Sequence, residues 1–155
     1  MSLKEEYNKF RGKYDLPSFE ELEKHFDLED ISEETNKEKI LSNIRKKIYE
    51  KIDFLVEFLS SIIYLESETS AVYESGNLTK EEKSQIFKIY KILMFIKRSA
   101  LKLIIESSEE REAEFIKLSF ERFIKIKDQL IEFVDKIKNG WIKDENEKKK
   151  AEYFG

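Results

Sequence analysis

Apolar side chains recur at steps of three and four residues along three long stretches of this chain, a spacing typical of amphipathic helices. The middle stretch is the most apolar, because fourteen of the twenty residues from Ile86 to Ile105 are apolar. An apolar surface of that width predicts a helix enclosed by neighbours on most of its circumference. We therefore expect a first long helix over residues 35–66, a central one over 79–106 and a last one over 107–140.

Two short helices are predicted ahead of the long ones. The first carries four apolar residues at steps of four, three and four: Leu3, Tyr7, Phe10 and Tyr14. Gly12 is expected to end it. Pro17 cannot continue that helix, and Ser18 with Glu21 has the spacing of a capping box. The second short helix should follow over residues 19–26.

Capping signals and glycines set the expected ends of the long helices. Three pairs have capping-box spacing: Thr35 with Glu38, Thr79 with Glu82, and Ser107 with Glu110. Residues 67–78 break the helical period and contain Gly76–Asn77, so we expect a loop there. A tight turn at Ser107 and Ser108 should separate the central and last helices, with one continuous, kinked helix as the alternative. The last helix should end near Asn139–Gly140.

These elements predict an all-α protein. The expected fold is an up-down-up bundle of three long antiparallel helices with two short N-terminal helices packed across it. Four glycines and one proline are too few for a turn-rich β protein. Residues 1–142 would form a single helical-bundle domain, and residues 143–155 a charged C-terminal tail.

Composition narrows the class of protein further. The chain has no cysteine, so disulfides, thiol nucleophiles and thiolate zinc sites are excluded, and a reducing compartment is compatible. No apolar run approaches the ~20 residues of a membrane span. Lysine outnumbers arginine 24 to 5 and isoleucine reaches 19, a usage common in AT-rich prokaryotes. We expect a prokaryotic, cytoplasmic protein.

The residues that most enzymes use in catalysis are scarce. His25 is the single histidine, and Leu22 stands three residues before it, so the Glu-x-x-His motif of di-iron bundles is missing. A catalytic triad would also have to use His25, which no glycine-rich nucleophile turn accompanies. The four glycines lie too far apart for a phosphate loop. We predict no catalytic residue, no metal and no cofactor, with His25 in an exposed or capping position.

Five residues of the central helix form the candidate binding surface. They follow steps of three and four on one helical face: Lys88, Lys91, Phe95, Arg98 and Lys102. Residues 80–105 hold seven cationic and two anionic residues, although the chain has a net charge of −4. Cations around an aromatic ring suit a phosphate with a stacked base, or an acidic peptide.

A second segment of the chain is complementary to this surface. Residues 18–34, here called the acidic segment, hold eight acidic residues and one cation, Lys24. Apolar residues such as Phe26 give it an apolar underside. We expect the acidic segment to lie on the candidate surface and to bury Phe95. The alternative leaves the surface open to a partner.

Two lysines fall inside apolar helical arcs. Lys97 on the central helix and Lys127 on the last would be costly to bury unless their charges were paired, which could mark a site. The preferred interpretation is that each packs its stem and extends its amine to solvent.

The pattern as a whole predicts a non-catalytic protein-interaction or scaffold protein. Its apolar helical surfaces are wider than a three-helix core needs, so a protein partner or self-association as a dimer is expected. The alternative is an accessory RNA- or DNA-binding factor that uses the basic surface of the central helix.

Overall fold

The structure is a computed structural model that describes the backbone of residues 2–31, 39–64 and 69–154, and the side chains of residues 2–31, 39–64 and 70–142. Within these ranges the chain forms six helices and no strand, so the all-α class is confirmed. They are α1 (Leu3–Tyr14), α2 (Phe19–His25), α3 (Ile40–Ile63), α4 (Thr69–Gly76), α5 (Lys80–Ile105) and α6 (Glu109–Phe154). None of the described helices combines the length and apolar content that crossing a membrane would require. The up-down-up arrangement and the domain boundary after residue 142 remain predictions.

Two of the predicted capping boxes are confirmed. The Ser18 hydroxyl accepts a hydrogen bond from the Glu21 backbone N–H at 3.2 Å, and the Glu21 carboxylate accepts from the Ser18 N–H. Thr79 and Glu82 exchange the same pair of bonds at the start of α5. Each box satisfies N–H groups that the first helical turn leaves unpaired. The box predicted within residues 35–38 lies outside the described residues.

Helix α1 does not end at Gly12, so that prediction was wrong. It continues to Tyr14, and Asp15 closes it in the left-handed conformation with φ of 54°. The Tyr14 hydroxyl donates to Glu109 Oε2 at 2.5 Å, and this contact with α6 lowers the pKa of the Glu109 carboxyl. A glycine costs a helix only about 1 kcal/mol relative to alanine, which contacts made by the next turn can offset.

Helix α6 passes through Gly140 and reaches Phe154, so the predicted helix end at Asn139–Gly140 was also wrong. It spans 46 residues, against 24 in α3 and 26 in α5. Gly140 does not adopt a positive φ, as a glycine that closes a helix would. The residues after it, WIKDENEKKKAEYF, are mostly good helix formers, and their summed propensity outweighs one glycine.

Replacing Gly140 with alanine should stabilise the protein by about 0.5–1 kcal/mol, because a mid-helix glycine loses more backbone entropy on folding. The added Cβ would lie 3.6 Å from Asn77 Nδ2, an ordinary van der Waals contact. Urea unfolding followed by circular dichroism measures the change. Gly12→Ala is the matched variant, because a Cβ there meets nothing within 4 Å. A loss of stability in Gly140→Ala would show that α6 ends at this residue.

The loop predicted over residues 67–78 contains helix α4, so the prediction missed an element. The Tyr73 ring stacks on Trp141 of α6 with centroids 4.3 Å apart, and Trp141 Nε1 donates to Glu74 Oε2 at 3.2 Å. Eight residues are too short for a helix to be stable alone, and these tertiary contacts stabilise it. The helix does end at Gly76, so the signal at Gly76–Asn77 correctly marked a break in the helical structure.

The turn between the central and last helices is confirmed, and the continuous-helix alternative is wrong. Residues 106–108 separate α5 from α6. The cap lies one residue later than predicted: Ser108 Oγ accepts from the Arg111 N–H at 3.2 Å. The Ser107 hydroxyl instead donates to Glu112 Oε1 at 2.9 Å, which draws Ser107 out of the capping position.

The chain divides into two compact units. Unit 1 comprises Met1–Val56 and Ile92–Lys125, and therefore holds α1, α2 and parts of α3, α5 and α6. All five helices contribute to its buried core, which includes Tyr7, Leu22, Phe26, Ile44, Ile48, Ile52, Leu93, Ile96, Ile116 and Phe123. The hydroxyl of Tyr7 donates to the Pro17 carbonyl at 2.6 Å, and burial raises the pKa of Tyr7 well above its usual range.

Unit 2 comprises Glu57–Lys91 and Ile126–Gly155, and holds α4 with the remaining parts of α3, α5 and α6. Its buried core includes Leu59, Ile62, Ala71, Ile86, Ile89, Leu130, Phe133 and Ile137. Lys136 of α6 forms an ion pair with Glu82 of α5, and its hydrogen bond lowers the pKa of that carboxyl.

The described part of the acidic segment, residues 18–31, packs against α3 and α6 of unit 1. The Phe26 ring lies 5.2 Å from the Phe123 ring, and Asp30 pairs with Lys47 at 3.6 Å. Lys51 of α3 donates a hydrogen bond to the His25 carbonyl. Burying an apolar side chain contributes about 1.5–3 kcal/mol, and an exposed ion pair at most about 1. We therefore expect the apolar underside to hold the segment in place more strongly than its charges do.

Candidate binding surface

A cleft between α5 and α6 of unit 1 is the candidate binding surface, here called the Phe95 cleft. Its volume is about 260 Å³, and each helix contributes four lining residues. Those from α5 are Phe95, Ser99, Lys102 and Leu103, and those from α6 are Arg111, Glu114, Phe115 and Leu118. Each set follows helical spacing, so a single face of each helix forms one wall.

Phe95 is the exposed aromatic residue of the cleft. Its side chain is 47% exposed, although Phe115 and Leu103 of the same cleft are buried. The prediction that the acidic segment buries Phe95 was therefore wrong. The Arg122 guanidinium carbon lies 4.3 Å from the Phe95 ring centroid, a cation–π distance. Arg122 thus covers part of the ring and leaves the remainder open to a ligand.

Cations outnumber acids around the cleft. Lys102 and Arg111 line it, and Arg122 contacts its aromatic ring. Glu114 is the acid among the lining residues, and Glu106 pairs with Arg111 at 2.8 Å. Three cations therefore face two acids, and the exposed Arg98 on α5 adds one more positive charge a helical turn from Phe95.

A buried ion pair fixes the α6 wall of the cleft. Arg45 of α3 and Glu112 of α6 are 7% and 3% exposed, and Arg45 Nε donates to both carboxylate oxygens at 3.1 and 2.8 Å. Ser42 Oγ accepts from Arg45 Nη2 at 3.1 Å, and the Ser107 hydroxyl donates to Glu112 Oε1 at 2.9 Å. The first turn of α6, which carries Arg111 into the cleft, is therefore anchored to α3.

Comparison with protein-family models, curated proteins and solved structures found no match to this chain. The function is therefore inferred from the geometry of the cleft. In the described part of the chain, no group of three or more histidine, aspartate or glutamate side chains is arranged to hold a metal ion.

The structure places the five predicted surface residues in two different settings. Phe95 and Lys102 line the cleft, and Arg98 is exposed on the same unit. Lys88 and Lys91 belong to unit 2, where Lys91 Nζ lies 4.8 Å from the Phe87 ring centroid. Sequence reasoning missed the whole α6 wall, because helical spacing within α5 carries no signal about the residues opposite.

A larger groove in unit 1 lies between the acidic segment and α3. It has a volume of about 520 Å³, and its exposed aromatic residue is Phe54. One of its cations is paired inside the protein: Lys47 Nζ lies 3.6 Å from Asp30 Oδ2 and 3.5 Å from Glu50 Oε2. The Phe95 cleft is preferred because it contains two residues of the predicted binding surface, Phe95 and Lys102.

Lys97, Lys127 and His25 do not line the Phe95 cleft. Lys97 Nζ lies 2.6 Å from Asp53 Oδ1, and this hydrogen bond raises the pKa of the partly buried lysine. Lys127 is also partly buried. His25 is the last residue of α2 and is partly exposed, so it lies beside the predicted capping position without being fully exposed. Its ring packs against Phe120 and Phe123, with centroids 5.9 and 6.1 Å away.

Proposed function

We propose that this chain is a non-catalytic protein-interaction module and that the Phe95 cleft is its docking site. The observation that carries the proposal is a half-exposed phenylalanine at the mouth of a cleft with an apolar floor. Binding hot spots in protein interfaces have this form, in which an apolar anchor enters a pocket ringed by polar residues.

The size of the cleft favours a protein partner over a small molecule. Small-molecule sites usually have volumes of about 300–1,000 Å³ and enclose most of the ligand. At about 260 Å³, the Phe95 cleft suits a single large side chain. A partner that inserts one such residue would gain further contact area from the exposed helix faces beside the cleft.

Selection of binders from a random peptide-display library on the folded protein tests the proposal. Enriched peptides should bind Phe95→Ser at least tenfold more weakly than the wild type, because the main contact of the anchor is lost. Phe54→Ser is the matched control, since it removes an exposed phenylalanine outside the cleft. Light scattering and circular dichroism establish that the variants keep the wild-type mass and helicity. The proposal would be overturned if the selection enriched no peptide, or if the enriched peptides bound Phe95→Ser as tightly as the wild type.

A second copy of the chain is a proposed partner at a different surface. Up to residue 142, where the described side chains end, α6 exposes four large apolar residues in unit 2: Ile131, Val134, Trp141 and Ile142. The first two are three residues apart and share a helical face, an arrangement that supports contact with a second helix.

The alternative of an accessory RNA- or DNA-binding factor has weaker support. Nucleic-acid sites need several cations that phosphates can reach, whereas Arg111 pairs with Glu106 and Glu114 lines the same cleft. Arg122 also occupies part of the Phe95 ring on which a base would stack.

A further inference from the structure

We propose that the segment which docks in the Phe95 cleft is an acidic peptide with one large apolar side chain. This inference rests on the proposed function and specifies the chemistry of the partner. The apolar side chain would enter between Phe95, Phe115 and Leu118, and carboxylates beside it would face the cations of α5.

The charge distribution carries the inference. Lys102 and Arg98 are both exposed and stand four residues apart on one face of α5. Their Cβ atoms are therefore separated by about 5–6 Å, one helical turn. Carboxylates two residues apart in an extended peptide, or one turn apart in a helix, have a matching separation. These two exposed cations attract carboxylates and repel other cations, so the patch favours an acidic segment.

The residues of the α6 wall determine which side of the cleft the carboxylates of the peptide can occupy. Arg111 is already paired with Glu106 at 2.8 Å, and Glu114 would repel a carboxylate placed on that side. The Ser99 hydroxyl donates to the Phe95 carbonyl at 2.8 Å, so its proton is engaged within α5. The acidic residues of the partner should therefore lie on the α5 side, over Arg98 and Lys102.

Fluorescence anisotropy with labelled synthetic peptides tests the inference on the full chain. The probe is a short peptide with a central leucine flanked by aspartate and glutamate, and its matched analogue carries asparagine and glutamine instead. We expect the acidic peptide to bind about tenfold more tightly than the amide analogue at low salt, as two rim ion pairs would give. Replacing the leucine with serine should abolish binding of the acidic peptide.

Charge reversal locates the contact. Arg98→Glu/Lys102→Glu should weaken binding of the acidic peptide by at least tenfold, and should weaken binding of the amide analogue much less. Lys39→Glu/Lys46→Glu is the control, because it makes the same change of net charge at exposed residues that do not line the cleft. Circular dichroism of each variant establishes that it is folded.

The outcomes separate the two proposals. Equal binding of the acidic and amide peptides, lost in Phe95→Ser, would overturn the acidic partner and retain the docking cleft. If neither these peptides nor a display library yields a binder sensitive to Phe95→Ser, the docking function itself fails. A third outcome is that a single-stranded oligonucleotide binds more tightly than either peptide. If that binding falls steeply with salt and is lost in Lys91→Glu/Arg98→Glu, the nucleic-acid alternative replaces both proposals.

Discussion

Glu112→Ala is expected to lower the free energy of unfolding by about 3–5 kcal/mol, because it leaves the Arg45 guanidinium buried without its counter-charge. Both partners are almost completely inaccessible, and Arg45 Nε reaches both carboxylate oxygens. Chemical denaturation followed by circular dichroism measures the loss. Glu110→Ala is the control on the same helix, since Glu110 is exposed and should change stability by less than about 0.5 kcal/mol.

The double variant Arg45→Met/Glu112→Leu separates the stability of the buried pair itself from the cost of leaving one of its charges unpaired. Removing both charges leaves no uncompensated ion, so its stability should lie close to that of the wild type and well above that of Glu112→Ala. If Glu112→Ala itself stays within about 1 kcal/mol of the wild type, the pair is hydrated in solution and does not anchor the first turn of α6.

Phe26→Ala is expected to lower the free energy of unfolding by a similar amount, about 3–5 kcal/mol, because it leaves a large cavity in the core of unit 1. Phe26 is 1% exposed, its ring packs on Phe123, and Lys51 Nζ lies 5.7 Å from its ring centroid. Thermal and urea unfolding measure the change. The matched control is Phe54→Ala, since Phe54 is 72% exposed and its removal should leave stability within about 0.5 kcal/mol.

The same variant tests what holds the acidic segment in place. If apolar contact dominates, raising the salt from 0.1 to 1 M, which shortens the Debye length from about 10 to 3 Å, should cost the wild type little stability. A small effect of Phe26→Ala together with strong destabilisation by salt would show instead that ion pairs hold the segment.

The helical class was predictable from sequence because apolar period and caps are local properties. Ser18 and Thr79 were recognised as caps from two residues each, and the structure bears both out. The glycines misled because a glycine costs a helix only about 1 kcal/mol. At Gly12 a contact distant in sequence offsets that cost, and at Gly140 the helix propensity of the following residues does. Helix α4 was missed for a related reason, since the Trp141 side chain that stabilises it comes from 67 residues further along the chain.

The binding surface was predictable only in part. Phe95 and Lys102 were found by spacing along one helix, and both line the cleft. The acidic segment was wrongly expected to cover Phe95 because its charge is complementary to that of the central helix. Burial of an apolar residue such as Phe26 contributes more free energy than such charge pairs, so charge alone does not predict where the segment lies. Glu112 carried a signal that could have been used: it lies four residues before Ile116, on the apolar face of α6, where an acid implies a buried partner.

The contact between α4 and α6 gives the protein a built-in optical reporter. Trp141 is the single tryptophan of the chain, and its indole stacks on Tyr73 while its N–H donates to the Glu74 carboxylate. Indole emission depends on such neighbours, so detachment of α4 would change the colour and intensity of the fluorescence without any label. Local opening of this helix can therefore be followed separately from the loss of total helicity, in the same sample and on the same temperature ramp.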